Sequence, residues 1–557
     1  MTHTTRLTPI APAAVATDFD AVVVGAGFGG LYMLHKLRDA LGLRVRAFER
    51  ASGVGGTWYW NRYPGALSDT ETHLYCYSFD ETLLQDWDWS TRYVSQPRIL
   101  AYLEHVADRY DLRRDIQFDT GVEAAHFDEV AGRWRLRTDR GETFSAKYLV
   151  TALGLLSATN LPDIPGLERY AGERYHTGAW PAEVELANKR VGVIGTGSTG
   201  LQVVTAIAPQ VAQLTVFQRT PQYSVPVGNG TVAPDEVAAI KRDYDTLWAR
   251  AKRSKVAFGF EESTVPAMSV SAEERRAVFQ RAWDEGGGFR FMFGTFCDIA
   301  TDADANEAAA DFVRGKIAEI VEDPETARKL TPRGLYAKRP LCDSGYYATF
   351  NRPNVSLVDL KETPIREITA GGVVTSDGVE HPLDVLIFAT GFDAVDGNYV
   401  KIDLRGRGGK SIREHWQRGP TSYLGMSTAG FPNLFMILGP NGPFTNLPPS
   451  IETQVEWIAD CVRYTEARTA QSIEATATAE SGWTATCADI AAQTLFAKGD
   501  SWIFGANIPG KPNTVMFYMA GLGAYREALS EIVADGYRGF ELHYATAAAR
   551  ERTAATG

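Results

Sequence analysis

Apolar runs of strand length alternate with amphipathic stretches of helical length along most of this chain. Two of the apolar runs end in glycine turns. Asp20-Ala-Val-Val-Val-Gly-Ala-Gly-Phe-Gly-Gly30 leads into a helix-like stretch and then a second strand, Arg44 to Glu49. Lys189-Arg-Val-Gly-Val-Ile-Gly-Thr-Gly-Ser-Thr-Gly200 does the same ahead of Gln213 to Arg219. Each is a β-α-β unit. Between about Pro226 and Pro332 the period changes: Val237, Ile240, Tyr244 and Leu247 recur at helical spacing, as do positions around Phe279 and Trp283. This predicts a mostly helical insertion, with Phe289, Phe291, Phe293 and Phe296 as core aromatics. Strands are expected again at Val355 to Asp359 and Asp384 to Ala389. Asp403 to Gly409 is glycine-rich and reads as a loop. Met1 to Thr17 and the Ala-rich C-terminal stretch read as loose tails.

The chain has 557 residues, too many for one ordinary core, so two to four domains are expected. Its composition, 45% hydrophobic and 22% charged, is that of a soluble globular enzyme. A net charge of −12 argues against a nucleic-acid partner, which needs surplus Lys and Arg. No apolar stretch reaches the roughly 20 residues of a membrane helix, and the N-terminus lacks the apolar segment of a signal peptide. The five cysteines are scattered without a Cys-x-x-Cys pair, which fits a reducing cytoplasm and offers neither a metal site nor a redox dithiol.

The glycines carry the first chemistry. Gly25, Gly27 and Gly30 form G-x-G-x-x-G directly after a strand. The first permits the tight turn, the second lets backbone approach a pyrophosphate, and the third lets helix and strand pack closely. Glu49 stands 19 residues beyond Gly30 at a strand end, where a carboxylate can accept from a ribose 2′-OH. Gly195, Gly197 and Gly200 repeat the design, with Ser198 and Thr199 in the turn, but the residue 19 beyond Gly200 is Arg219. A guanidinium there suits a 2′-phosphate, and Thr220 can add a hydroxyl. FAD plus NADP(H) is the simplest pair. With no dithiol, haem or Fe–S motif to take the electrons, molecular oxygen is the expected acceptor.

Between the two units lies Tyr170-Ala-Gly-Glu-Arg-Tyr-His176-Thr-Gly-Ala-Trp180-Pro181. It resembles the fingerprint F-x-G-x-x-x-H-x-x-x-W-P of the type I Baeyer–Villiger monooxygenases, with Tyr170 in place of Phe. Gly55-Gly56-Thr57-Trp58 through Tyr63-Pro64-Gly65 to Asp69, Ala389-Thr390-Gly391, and Ser501-Trp502 through Lys511-Pro512 extend the likeness over nearly the whole chain. Lys338 to Tyr347 and Gly439 to Ser450 resemble the cyclohexanone monooxygenase branch in particular. In that family a C4a-peroxyflavin attacks a ketone carbonyl and the adduct rearranges to an ester or lactone. The resemblance implies that Arg339 stabilises the anionic peroxide and adduct and that Asp69 positions it. It also implies Lys338 as a second cation on the 2′-phosphate, Trp502 against the NADP ribose, and Thr57, Trp58 and Tyr75 against the flavin cofactor. Leu155, Phe444, Thr445, Leu447 and Phe517 match positions lining the ketone pocket, and their apolar character suits an uncharged substrate. His176 and Trp180 fall in an interdomain linker.

The expected architecture is α/β: two Rossmann-like dinucleotide-binding domains, as in the two-dinucleotide-binding flavoproteins, with a helical insertion. The expected parts are an FAD-binding domain from 1–155 and 390–557, an NADP-binding domain from 156–223 and 336–389, and the insertion at 224–335. A monomer is expected. An N- or S-oxidising flavin monooxygenase is the nearest alternative. A nucleotide-sensing flavoprotein is a more distant one, and it would have no use for Arg339.

Overall fold

A computed structural model describes residues 19–545. The two tails expected from the sequence lie largely outside them. The N-terminal glycine turn belongs to a sheet of eight strands. At its centre Phe19–Val24 runs parallel to both Val45–Phe48 and Thr143–Thr151. Val122–Asp128, Arg133–Thr138 and Thr143–Thr151 continue it as an antiparallel meander. Ile116–Gln117 extends it beside Val45–Phe48, and two strands from the later part of the chain complete it: Leu434–Met436 beside Thr143–Thr151, and Asp403–Arg405 beside Val122–Asp128. The C-terminal part of the chain therefore returns to the sheet in which the N-terminal part began.

The second glycine turn belongs to a five-stranded sheet ordered Glu173–His176, Val385–Phe388, Arg190–Ile194, Gln213–Gln218 and Val355–Asp359. Every pairing in it is parallel. Val191, Val193, Leu214, Val216, Val385, Leu386 and Ile387 are all fully buried, as expected of a sheet covered on both faces. The segment between these strands is helical, with Pro234–Arg242, Tyr244–Arg253, Ala272–Glu285, Ala303–Ile320 and Pro324–Leu330. Its single expected period over Val237 to Leu247 is in fact two helices, broken at Asp243, which leaves helical geometry at φ −112°, ψ 14°. Phe289, Phe291 and Phe296 are buried and Phe293 is half-buried.

One expectation fails. Asp403 to Gly409 is not all loop: Asp403–Arg405 is a strand, followed by a 3-10 turn at Arg407–Gly409. Leu404 supplies the buried contact and Asp403 accepts from His126 Nε2 at 2.8 Å. The strand exists because a neighbouring strand offers it a ladder, which glycine composition does not reveal.

Two short strands, Ala158–Thr159 and Phe392–Asp393, pair antiparallel where the chain passes between the sheets.

Candidate functional site

The two glycine turns are built alike. Gly25 sits at φ +107° and Gly195 at φ +109°, a region that side chains disfavour. A Cβ on Gly25 would lie 2.4 Å from the Ala152 carbonyl oxygen, and one on Gly195 would lie 2.4 Å from that of Ala389. Each turn is thus pressed against the end of the adjacent parallel strand. Gly30 and Gly200 pack onto the carbonyls of Gly25 and Gly195 themselves, at 1.9 and 2.2 Å from a notional Cβ. The helices Phe28–His35 and Ser198–Ile207 begin at Gly27 and Gly197, and no side chain caps either. Their first N–H groups and positive dipole ends are left for an anion.

The turns differ in what faces them. The first is roofed by Gly56, whose Cα lies 3.3 Å from a notional Cβ on Gly27. Gly56 itself takes φ +54° and starts the short helix Thr57–Trp60. The second is open, with nothing within 4 Å of a notional Cβ on Gly197. Glu49 closes the first site. Its carboxylate accepts from Ala26 N at 2.7 Å and Ala51 N at 2.8 Å. Burial pushes its carboxyl up, against those hydrogen bonds. Each oxygen keeps a lone pair for a ribose hydroxyl. Trp58 is buried and Tyr75 half-buried, with Trp58 Nε1 donating to the Tyr75 hydroxyl at 3.2 Å. Thr57 is exposed at the head of its helix.

At the second site Thr196 Oγ1 donates to Thr220 O at 3.0 Å, tying the glycine turn to the strand end that carries Arg219. Ser198 and Thr199 are half-exposed in the first turn of the helix. Thr220, Lys338, Lys361 and Lys498 share the lining of a cavity of about 470 Å³. Lys338 is held below its ordinary value, first by burial and then against Asp500 by the charges of Arg219 and Lys361. Three cations therefore converge, and a 2′-phosphate would relieve their repulsion.

Arg339, on the same segment, forms an ion pair with Asp69 on the strand Leu67–Glu71, which pairs with Tyr93–Ser95. The Phe289 ring lies 5.5 Å from its guanidinium carbon. Burial opposes the Arg339 charge, but Asp69 outweighs it and the pKa is raised. A permanent, oriented cation results. Phe517 packs edge-on against Phe444 at 5.3 Å and Trp502 at 5.9 Å, so three of the expected pocket and cofactor residues form one aromatic group. Leu155 joins the same apolar cluster, and its carbonyl accepts from Val395 N. Leu447 packs on the other main cluster, and the Thr445 hydroxyl is engaged by Ser450 and the Asn446 carbonyl.

The Tyr170 to Pro181 pattern spans the two halves. Tyr170 donates to Leu383 O at 3.1 Å, and Gly172 has no room for a Cβ beside the Asp384 carbonyl and the Tyr170 ring. His176 Nδ1 accepts from Gly178 N at 3.0 Å, and its Nε2 lies 3.5 Å from Thr390 Oγ1 in the returning segment. Trp180 N donates to Trp60 O, at the end of the short helix Thr57–Trp60. Tyr63 donates to Gln202 Oε1 at 2.7 Å on the second nucleotide helix. These contacts join the two glycine-turn units.

Lys511, quoted in the Ser501 to Pro512 motif without a role, is 7% exposed, pairs with Asp393 and Asp396, and docks the Trp502 segment on the returning strand. Sequence reasoning missed two groups. Lys361 joins Arg219 and Lys338 in their cluster of cations. Glu71, two residues beyond Asp69, receives Arg92 and Arg290. A second acid at strand spacing from Asp69 was the available signal for Glu71.

Comparison with known proteins follows the same lines. Residues 19–232 match the family described as pyridine nucleotide-disulphide oxidoreductase. The cysteines among the described residues are all unpaired, so no disulphide centre accompanies that fold. A Baeyer–Villiger monooxygenase of Pseudooceanicola batsensis is 60% identical, over 97% of this chain and 98% of its own. Phenazine N-monooxygenase PhzNO1 of Lysobacter antibioticus is 57% identical, over 95% and 97%. The crystal structure of a cyclohexanone monooxygenase from Rhodococcus sp. Phi1 bound to NADP+ superposes with a TM-score of 0.94 at 66% identity, covering 95% of this chain and 99% of that one. With likeness of this extent over nearly the whole of both chains, the chain belongs to the Baeyer–Villiger monooxygenase family.

Proposed function

We propose that the protein inserts one oxygen atom of O2 beside the carbonyl of ketones, cyclic ones included, to give esters or lactones, using FAD and NADPH. The observation that carries this reading is the Asp69–Arg339 pair, set next to the Lys338 cation cluster and Phe289. When bound, the nicotinamide supplies hydride and the flavin supplies the activated oxygen. The chain does the rest. Gly25, Gly27, Gly30 and Glu49 would hold the pyrophosphate and ribose of FAD, and Thr57, Trp58 and Tyr75 would lie against the flavin cofactor. Gly195, Gly197, Ser198, Thr199 and Gly200 hold the pyrophosphate of NADP. Arg219, Thr220 and Lys338 select its 2′-phosphate.

Arg339 places a fixed cation where negative charge develops during attack on the carbonyl, and Asp69 keeps it aimed. Phe444 and Phe517 exclude water and present an apolar surface to the substrate, with Leu155, Thr445 and Leu447 around it, while Trp502, packed on Phe517, serves the NADP ribose. Both nucleotide sites and the arginine come from a single chain, so a monomer suffices. Unpaired thiols favour a reducing cytoplasm. The parts of the chain act as an FAD domain of 1–155 with 390–557, an NADP domain of 156–223 with 336–389, and an insertion of 224–335.

The test is a panel of cyclic and linear ketones incubated with enzyme and NADPH, with products identified by mass spectrometry. Esters or lactones at stoichiometry with NADPH are expected. The phenazine relative gives one rival substance: heteroaromatic amines belong in the panel, and N-oxides without any ester would replace this reading.

A further inference from the structure

The strand Leu67–Glu71 presents two carboxylates on one face, Asp69 and Glu71. Asp69 holds Arg339. Glu71 receives Arg92 Nη2 at 2.9 Å and Arg290 Nη2 at 2.6 Å. Arg290 directly follows Phe289, and the Phe289 ring lies against the Arg339 guanidinium. That ring is fixed from its other neighbours too. It stacks on Phe258 at 3.9 Å between centroids. The run Gly286–Gly288 before it is wedged against backbone: a notional Cβ on Gly286 falls 2.6 Å from Gly228 N, and one on Gly288 falls 2.7 Å from Leu341 O.

A closed circuit follows. It runs from Glu71 to Arg290, through the adjacent Phe289 to Arg339, on to Asp69, and back through Thr70 to Glu71. The insertion and the strand are thereby clamped on either side of one guanidinium. Glu71 is only 13% exposed, so an unpaired carboxylate there would be costly. Burial opposes its charge, but His73, Arg290 and Arg92 outweigh that and hold its carboxyl below the ordinary range. A buried ion pair of this kind fixes geometry more than it adds stability.

We propose that Glu71 and Arg290 are positioning residues that fix the Arg339 guanidinium between Asp69 and Phe289, and so set how much activated oxygen reaches the substrate. The idea rests on the oxygenation proposed above. If the guanidinium wanders, NADPH, O2 and one proton from solvent end as NADP+ and hydrogen peroxide, and no C–O bond forms.

The experiment uses the full-length holoenzyme and the variants Arg290→Met, Arg290→Lys and Glu71→Gln. In Arg290→Met, Glu71 keeps Arg92, which protects the fold. Three quantities are read: FAD content, the rate of anaerobic flavin reduction by NADPH, and ester formed per NADPH with peroxide measured in parallel. Arg290→Met should keep the first two near parental values while ester per NADPH falls about 10-fold, the scale of a small misplacement of a catalytic group. Peroxide should rise to match, and Arg290→Lys should restore most of the coupling. The double change Glu71→Gln with Arg290→Met should be no worse than Glu71→Gln alone, since the two act as one unit. Parental coupling in Arg290→Met overturns the proposal. So does a coupling loss that tracks loss of FAD and is not rescued by lysine, because that is a merely structural effect. A parent enzyme that makes no ester defeats the proposed function and this inference together, whereas a coupled parent with coupled variants defeats this inference alone.

Discussion

Replacing Gly197 with alanine separates folding from nucleotide binding. Gly197 sits at φ −78°, ψ −170°, where any residue is at ease, and nothing lies within 4 Å of the added methyl. Its effect on stability should therefore stay within about 0.5 kcal/mol. The empty space is where backbone would approach a pyrophosphate, so the methyl should cost one or two hydrogen bonds to a charged group. At about 1.5–3 kcal/mol each, the loss is roughly 10- to 100-fold or more in NADPH affinity. Gly195→Ala is the contrasting change. It forces alanine to φ +109° and puts its methyl 2.4 Å from the Ala389 carbonyl oxygen. Backbone strain alone should destabilise the protein by on the order of 1–3 kcal/mol. The assays are thermal unfolding followed by flavin fluorescence, and the NADPH dependence of flavin reduction in stopped flow. Gly197→Ala should unfold like the parent and bind NADPH weakly, while Gly195→Ala should unfold early. If Gly197→Ala binds NADPH as tightly as the parent, the open space is not the pyrophosphate seat and the second site has been misread.

Three further outcomes are expected. Arg339→Ala should retain FAD, yet lose at least about 100-fold in ester formation, the scale of removing one donor from a developing anion; gas chromatography of cyclohexanone turnover with a peroxide assay checks it, and a near-parental rate would remove Arg339 from the site. Arg219→Ala should weaken NADPH use by about 10- to 100-fold while leaving NADH use nearly unchanged, because a charged hydrogen bond is lost only with the 2′-phosphate; equal losses with both nucleotides would show that Arg219 does not read that group. Lys338 is held below the ordinary lysine value, so it sheds its charge earlier than a free lysine as pH rises. The KM for NADPH should therefore climb in the alkaline range, that for NADH should not, and Lys338→Arg should flatten the NADPH profile; identical profiles for both nucleotides would contradict this.

The two nucleotide units were legible because their physics is local. Parallel strands buried on both faces read as unbroken apolar runs, as Val191 to Ile194 and Val385 to Phe388 do. The turn glycines are demanded by their own φ and by the strand carbonyl next door. Elements that depend on a partner were not legible. Asp403–Arg405 is a strand only because Val122–Asp128 pairs with it. Helix Pro234–Arg242 ends at Asp243 although the apolar spacing continues. Glu71 and Arg290 stand 219 residues apart, so no spacing rule could join them. The Asp69–Arg339 pairing came from resemblance, and geometry then gave it a physical basis in burial, charge and the Phe289 ring. That the first turn is roofed by Gly56 and the second open likewise needed three-dimensional neighbours.

The short antiparallel ribbon of Ala158–Thr159 with Phe392–Asp393 has a practical meaning. The chain leaves for the five-stranded sheet and comes back at adjoining points, so the intervening segment has its two ends side by side. Such a segment is spliced into its host as a cassette. Exchanging residues 160–391 for the corresponding stretch of a relative would ask for two junctions in one place rather than a redesign of two distant seams. Nicotinamide preference could then be transplanted while the N-terminal glycine turn and Glu49 beside it stay untouched. The graft would have to preserve the partners it meets on the host, notably Trp180 with Trp60 and Tyr63 with Gln202.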